Sequence, residues 1–289
     1  MDGTIMKIRS AFLTVFSEYI YPDDGKITMS ELIALLRTLN YTDEAIKSAI
    51  FRLRQQRMIF SFKAGDKTYY SFTEEGIEKL KEGYTPIPQQ KEDTIWSGQW
   101  QLLIYSLPEK ERPLRDQFRK EISCLGFGQL TPGSWISPYD CYDQVQKLVK
   151  KYKIEDYVQI FNSTHLGTKN KEFLVSQVWD LQDLNVKYHS FIQKFTSNCI
   201  PHTEITEATS FAQRVLLINE YRPLVQLDPF LPCDLLPKSW LGKQASAIFH
   251  NHYELLAGKS FQYYRNVRLQ LDSVMRALPT ISETANMRY

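Results

Sequence analysis

The chain has 289 residues, 43% of them hydrophobic and 24% charged, with a formal net charge of +2. That length holds two or three domains, and so balanced a charge says nothing about partners, so a nucleic-acid reading must rest on local pattern. No N-terminal apolar run resembles a signal peptide, and no stretch approaches the roughly 18 apolar residues of a membrane span. Cys124, Cys141, Cys199 and Cys233 lie far apart with no C-x-x-C pair. The expectation is a cytoplasmic protein without membrane contact, its cysteines free.

A first helix is expected over roughly Lys7–Tyr19, ending before the turn chemistry of Tyr21-Pro22-Asp23-Asp24-Gly25. Thr28-Met29-Ser30-Glu31 then spells a capping box, followed by an apolar stripe of Leu32, Ile33, Leu35, Leu36 and Leu39 at helical period. Asn40-Tyr41 makes a turn and Thr42 caps the next helix, with Asp43 and Glu44 favouring its positive end. In that helix Ile46, Ala49, Ile50 and Leu53 share one face. A rotation of about 100° per residue turns Lys47, Ser48, Phe51, Arg52 and Gln55 away from it. These are residue types that reach phosphates and base edges in a major groove. Phe51 has two readings, a contact to a thymine methyl or packing under the hairpin that follows.

That hairpin is expected from Met58–Lys63 and Lys67–Phe72 around Ala64-Gly65-Asp66. From Thr42 to Lys67 six cations (Lys47, Arg52, Arg54, Arg57, Lys63 and Lys67) stand against three anions. Helix, turn, helix and basic hairpin in this order predict a winged helix-turn-helix. Its expected DNA contacts are Thr42, Lys47, Ser48, Phe51, Arg52 and Gln55 on the second helix, and Lys63 and Lys67 on the wing.

Thr73 caps a short helix through Ile77 and Leu80, and the polar, proline-bearing stretch after it reads as a linker. Beyond Trp96 the expected elements are a strand over Trp100–Ser106, a helix over Arg112–Leu125 and a strand over Gln129–Ser137 interrupted at Pro132-Gly133. A helix over Tyr139–Tyr152 and a strand over Tyr157–Phe161 complete an order that suggests a ferredoxin-like domain. From Asp180 the period is helical, with helices expected near Leu181–Phe195, Glu207–Tyr221, Lys243–Leu256 and Ser260–Leu278. The fold class is therefore α+β, divided as a winged helix over 1–84, a linker over 85–95, a ferredoxin-like domain over 96–178 and a helical domain over 179–289.

Nothing in the chain spells a catalytic set, a metal site or a cofactor motif. Gly126-Phe127-Gly128 lacks a third glycine and follows a helix, and no Walker A or G-x-S-x-G sequence occurs. His250 and His252 are two residues apart on an expected helix and point about 200° apart, which prevents joint chelation. His165, His189 and His202 lack a carboxylate or cysteine partner at ligand spacing. The protein is not expected to be an enzyme.

Several sequence blocks occur together in one order. They are Ala45-Ile46-Lys47-Ser48-Ala49-Ile50-Phe51-Arg52, Gly65…Tyr70-Ser71-Phe72-Thr73…Gly76, Trp96-x-Gly98-x-Trp100, Gly126-Phe127-Gly128, Pro132-x-x-Trp135-Ile136-Ser137-Pro138 and Asp228-Pro229-x-Leu231-Pro232-x-x-Leu235-Leu236-Pro237-x-x-Trp240-x-Gly242. The set resembles the phenylacetic acid catabolon repressor family (PaaX-type) over nearly the whole chain. The resemblance implies a repressor of an aromatic-acid operon, bound to double-stranded operator DNA and released by an aryl-acyl-CoA, phenylacetyl-CoA in the type case. A homodimer is expected separately, because one recognition helix covers only a few base pairs. Two positions depart from the family pattern. Asp66 stands at the wing tip where relatives often have arginine, and Lys47 where some have arginine, which removes a bidentate guanine contact.

For such an effector, Arg214, Arg222 and Lys238 are candidate phosphate partners and Trp240 a stacking face, with Arg265, Arg268, Tyr263 and Tyr264 also in view. The alternative for each is a solvated helix face beside core aromatics. The middle strand end Leu103-Ile104-Tyr105-Ser106 resembles that of the small ferredoxin-like CRISPR adaptation protein. Ser106 replaces an aspartate there, and a hydroxyl is a poor ligand for a hard divalent metal, which argues against nuclease chemistry. Two further classes stay open: a winged-helix nucleic-acid binder without an effector, and an enzyme or interaction scaffold.

Overall fold

The computed structural model describes residues 6–83, 96–167, 169–196 and 205–277. The expected linker over 85–95, Cys199, His202 and Leu278 lie outside the described residues. Helix α1 (Ile8–Val15) runs into a π-helical turn, Phe16–Ile20, and on into α2 (Tyr21–Asp23). Helix thus continues through residues whose composition predicts a turn. Pro22 is accommodated because it falls in the first turn of α2, where a missing N–H costs nothing.

Strand β1 (Lys26–Thr28), too short to be seen in the sequence, leads into α3 (Met29–Arg37). The capping box forms: the Glu31 N–H donates to Thr28 Oγ1 at 3.3 Å, and the Thr28 N–H donates to the Glu31 carboxylate at 2.7 Å. After the turn at Asn40, α4 (Asp43–Gln55) begins with the Ala45 N–H donating to Thr42 Oγ1. Strands β2 (Ile59–Ala64) and β3 (Lys67–Phe72) follow, then α5 (Glu74–Gly83), and the sheet order is β1-β3-β2, all antiparallel. This is a winged helix with α4 in the recognition position.

The middle elements are β4 (Trp100–Tyr105), α6 (Arg112–Cys124), β5 (Gly128–Thr131), β6 (Ser134–Ser137), α7 (Tyr142–Tyr152) and β7 (Val158–Ser163). The single interrupted strand expected over 129–137 is a hairpin turning at Pro132-Gly133, which completes a β-α-β-β-α-β order. The antiparallel sheet runs β5-β6-β4-β7, the ferredoxin-like arrangement. On one face Leu103 and Trp135 pack with Phe118, Ile122, Val145 and Val149 of the two helices. On the other, Trp100 and Ile136 meet Val175, Leu181, Leu231 and Leu235. Gly128 has to be glycine there, since a Cβ would lie 2.5 Å from the Trp179 ring.

The rest is helical: α8 (Lys171–Val178), α9 (Leu181–Thr196), α10 (Glu207–Leu227) and α11 (Gly242–Ala277). Two expected boundaries shift. Helix α10 continues past Tyr221 through Pro223, with Leu224 and Val225 buried beyond it. Helix α11 is one helix rather than two: Gly258 costs about 1 kcal/mol relative to alanine but does not break it, and Phe249, Leu256, Tyr264 and Val267 are buried on both sides.

The chain clusters into two compact units. The first joins the N-terminal elements through α5 to the segments Phe191–Val225 and Ala245 onward; the second holds the middle elements to Ser190 together with Gln226–Gln244. In the first unit the core of the winged helix (Phe12, Phe16, Leu35, Ile50, Leu53, Phe72) is continuous with Phe211 and Val215 of α10 and Tyr264 and Val267 of α11.

Polar groups are buried in that same core. Glu18, in the π-helical turn, accepts a 2.9 Å hydrogen bond from the Tyr253 hydroxyl and lies 3.4 Å from Arg214 and 3.8 Å from Arg222. Arg214 is only 2% exposed, and its guanidinium sits 4.0 Å from the centre of the Tyr253 ring. Arg222 also donates to Thr14 Oγ1 at 3.0 Å, and Tyr19 and Ser260 share a hydroxyl–hydroxyl bond. Burial, aided by Glu18, pushes the Tyr253 hydroxyl up to about 12. Nearer the surface, Arg268 of α11 reaches Asp23 and Asp24 at 3.0 Å and the capping-box carboxylate of Glu31 at 3.6 Å.

Removing one member of a buried ion pair leaves the other charge uncompensated, which costs about 3–5 kcal/mol. Glu18→Gln should therefore lower stability by that order in urea unfolding, and a loss under ~1 kcal/mol would mean the cluster is solvated. Gly76→Ala should also destabilise, by on the order of 1–3 kcal/mol from overpacking, because a Cβ there would sit 2.0 Å from the Met58 carbonyl oxygen. An unchanged thermal midpoint in Gly76→Ala would contradict that contact.

Candidate nucleic-acid interface

Helix α4 separates its residues as the sequence predicts. Ile46, Ala49, Ile50 and Leu53 are buried, while Lys47, Ser48, Phe51, Arg52 and Gln55 are exposed, as is the cap Thr42. Phe51 is 59% exposed, so most of its ring is open to solvent rather than packed under the wing. The Arg52 Nε–H donates back to the Ser48 carbonyl at 3.3 Å, which holds the guanidinium along the outer face of the helix.

The helix is anchored at both ends. At its start Arg37 of α3 makes a two-pronged contact to Asp43, at 2.6 and 2.7 Å. That hydrogen-bonded pair holds the Asp43 carboxyl below, and the Arg37 guanidinium above, their usual ranges. At its end the Met58 N–H donates to the Leu53 carbonyl and the Arg57 N–H to the Arg54 carbonyl, at 2.9 and 3.0 Å. This is a Schellman motif, with buried Leu53 and Met58 forming its hydrophobic contact. Its left-handed position, φ 54°, is held by Arg57 where glycine is the low-cost residue.

On the wing Lys63 is exposed near the tip and Lys67 is half-buried opposite Ala64. Phe60, Phe62 and Tyr69 form a row on the outer sheet face, with ring centroids 5.7 and 5.8 Å apart and Lys26 5.4 Å from the Tyr69 ring. Between the end of α4 and β2 lies a groove of about 610 Å³, lined among others by Phe51, Arg54, Gln55, Arg57, Phe60 and Ser61. Sequence reasoning counted Arg54 and Arg57 as charge but assigned them no contact. The available signal was the arginine at a helix C-terminal position that favours glycine.

The residues expected to meet an effector are placed separately. Arg214 and Arg222 are buried in the first unit and converge on Glu18. Lys238 and Trp240 belong to the second unit, Lys238 exposed and Trp240 edge-on to the Tyr188 ring at 5.5 Å. The Tyr188 hydroxyl in turn donates to Asp228 at 2.7 Å. Arg268 is engaged by Asp23, Asp24 and Glu31. Among the described residues no group of three or more His, Cys, Asp or Glu side chains could hold a metal. His250 and His252 each bond to the carbonyl four residues back in their own helix. No helix among the described residues is long and apolar enough to cross a membrane.

Comparison with known proteins follows the same division. Residues 7–76 match the family described as PaaX-like protein, residues 93–175 the PaaX protein central Cas2-like domain, and residues 179–266 the PaaX-like protein C-terminal domain. The chain is 28% identical over 256 residues to the transcriptional repressor PaaX of Escherichia coli K12, covering 86% of this chain and 80% of that protein. Among solved structures, an uncharacterised protein of Mycobacterium tuberculosis superposes with a TM-score of 0.58 at 19% identity, over 92% of this chain and all of that one, which speaks to the fold alone. Matched in order by all three domains of one family, the chain belongs to the PaaX-like proteins.

Proposed function

We propose that the protein is a DNA-binding transcriptional repressor of an aromatic-acid catabolic operon of the phenylacetate type, released from its operator by an aryl-acyl-CoA. The observation that carries the reading is the division of α4, whose inner face is buried while Lys47, Ser48, Phe51, Arg52 and Gln55 stand exposed beside a basic wing. The repressor named among the relatives supports the role. It is a regulator rather than an enzyme, and it works in the cytoplasm without membrane contact. Residues 1–84 read DNA, 85–95 link, and the ferredoxin-like part (96–178) and the helical part (179–289) serve assembly and effector response.

One recognition helix spans only a few base pairs. Adequate specificity then calls for a homodimer on a palindrome with half-sites about 34–36 Å apart or a multiple of it. Selection of bound sequences from a randomised duplex pool tests this directly, and a non-palindromic consensus contacted by a monomer would refute the dimer. With the selected operator, Arg52→Ala should weaken binding by ~1–3 kcal/mol and relax one base position if the guanidinium reads a base edge. Uniform weakening over all sequences would instead make Arg52 a phosphate contact.

For the effector, Lys238 and Trp240 offer an exposed cation beside an aromatic face. Arg214 and Arg222 would have to exchange Glu18 for a ligand anion to take part. Titrating the operator complex with phenylacetyl-CoA, phenylacetate and CoA separates the acyl group from the phosphates. Release by the thioester alone is expected, with operator DNA weakening thioester binding by the same factor, typically ~5–150-fold. Lys238→Ala should lower thioester affinity and leave operator affinity unchanged in its absence. If none of the three compounds dissociates the complex, control by an aryl-acyl-CoA is wrong while DNA binding stands.

A further inference from the structure

We propose that the groove between the end of α4 and strand β2 is a track for one phosphodiester strand of duplex DNA, with Arg54 and Arg57 on its phosphates and Phe51 and Phe60 against its sugars. The inference rests on the DNA-binding reading and adds a second contact surface to it. A helix seated in a major groove with a hairpin tip in the neighbouring minor groove leaves one backbone strand to pass between them. In this protein the space between those two elements is the groove of about 610 Å³.

Its lining matches a sugar–phosphate chain. Phe51 and Phe60 are 59% and 44% exposed, which is costly for aromatic rings unless something covers them in the working state. Arg54 has no ion-pair partner among the described residues, and the one carboxylate among the groove's lining residues, that of Glu75, feels the Arg57 charge but is hydrogen-bonded to Lys79 at 2.6 Å. Two cations are therefore available at the base of the wing. At the tip, Asp66 offsets part of the charge of Lys63 and Lys67. Strand β2 spans five residue steps, about 17 Å at 3.3 Å each, so the tip clears the backbone strand and reaches into the minor groove beyond it.

Arg57 supplies an independent argument. It occupies the left-handed position of the α4 C-terminus, where any side chain is strained and glycine is not. A strained arginine beside a groove is a position where the side chain is used. Replacing it with glycine should leave the fold intact or raise its thermal midpoint, so loss of binding in Arg57→Gly cannot be attributed to unfolding.

The test uses the full chain and a short mixed-sequence duplex, with affinity measured as a function of salt. Each phosphate neutralised contributes about 0.9 to the slope of log affinity against log salt. Arg54→Ala and Arg57→Gly should each lower that slope by about 0.9 and the pair by about twice as much, with Arg54→Lys retaining the slope. Phe60→Ala should weaken binding without altering the slope. On the selected operator, the ratio of operator to mixed-sequence affinity should stay constant in all these variants. Unchanged slopes in variants that bind as tightly as the parent would overturn the track and leave the recognition helix untouched. A fall in the operator-to-mixed ratio would overturn it too, by making these arginines base readers. Failure of the parent chain to bind the mixed duplex even at low salt would remove the DNA-binding reading itself.

Discussion

The first unit is organised around one carboxylate taken out of water. Glu18 sits in a π-helical turn, a geometry rare enough to mark a local demand, and faces two arginines and a tyrosine hydroxyl from α10 and α11. Burying these charges costs several kcal/mol per ion, repaid only when partners and geometry are in place. The N-terminal helix therefore cannot complete its core alone. Phe12 and Phe16 pack in the same cluster as Phe211 and Tyr264, and the polar contacts beside them span more than 190 residues of sequence. The winged helix is built by both ends of the chain, and the ion cluster lies where those ends meet.

That long-range dependence divides what the sequence reveals from what it conceals. The capping box at Thr28, the Thr42 cap, the apolar period of α3 and α4 and the Gly65 turn are local signals, and each element they mark formed within a residue or two of expectation. Strand β1 was invisible because three residues carry no period; it exists only through its pairing with β3. Prolines and glycine misled at Pro22, Pro223 and Gly258, where a break was expected. Pro22 sits in the first turn of α2, where its missing N–H costs nothing. At Pro223 and Gly258 the burial of neighbours outweighed a local cost of one hydrogen bond or about 1 kcal/mol. The ferredoxin-like order was legible from its helices, while the hairpin at Pro132-Gly133 needed the sheet register to separate β5 from β6.

The candidate site follows the same rule. The outward residues of α4 were read correctly because helical rotation is a property of the segment itself. Arg54 and Arg57 were not assigned, because their surroundings depend on where β2 and α5 return in space. Arg214 and Arg222 illustrate the converse. In sequence they are indistinguishable from ligand-binding cations, since the residue that engages them, Glu18, lies near the other end of the chain. Spacing identifies faces; only the fold identifies partners.

These contacts also constrain how a signal could reach α4. Coupling needs an element whose two arrangements both sites can bias, with a ligand preferring one of them. Arg268 on α11 holds Asp23, Asp24 and the Glu31 carboxylate that caps α3. Helix α3 in turn holds the start of α4 through Arg37 and Asp43. A ligand that shifts α11 must therefore either break the Arg268 contacts or carry α3 with it, and α4 follows α3 at its capped end. The exposed Arg37–Asp43 pair adds little energy on its own, but it is geometrically bidentate, so displacement of α3 changes the angle at which α4 is presented. If a ligand controls DNA binding as proposed, release would then require no unfolding of the wing. A change in that angle would act first on base readout, since base contacts carry the sequence information while phosphate contacts only position the protein.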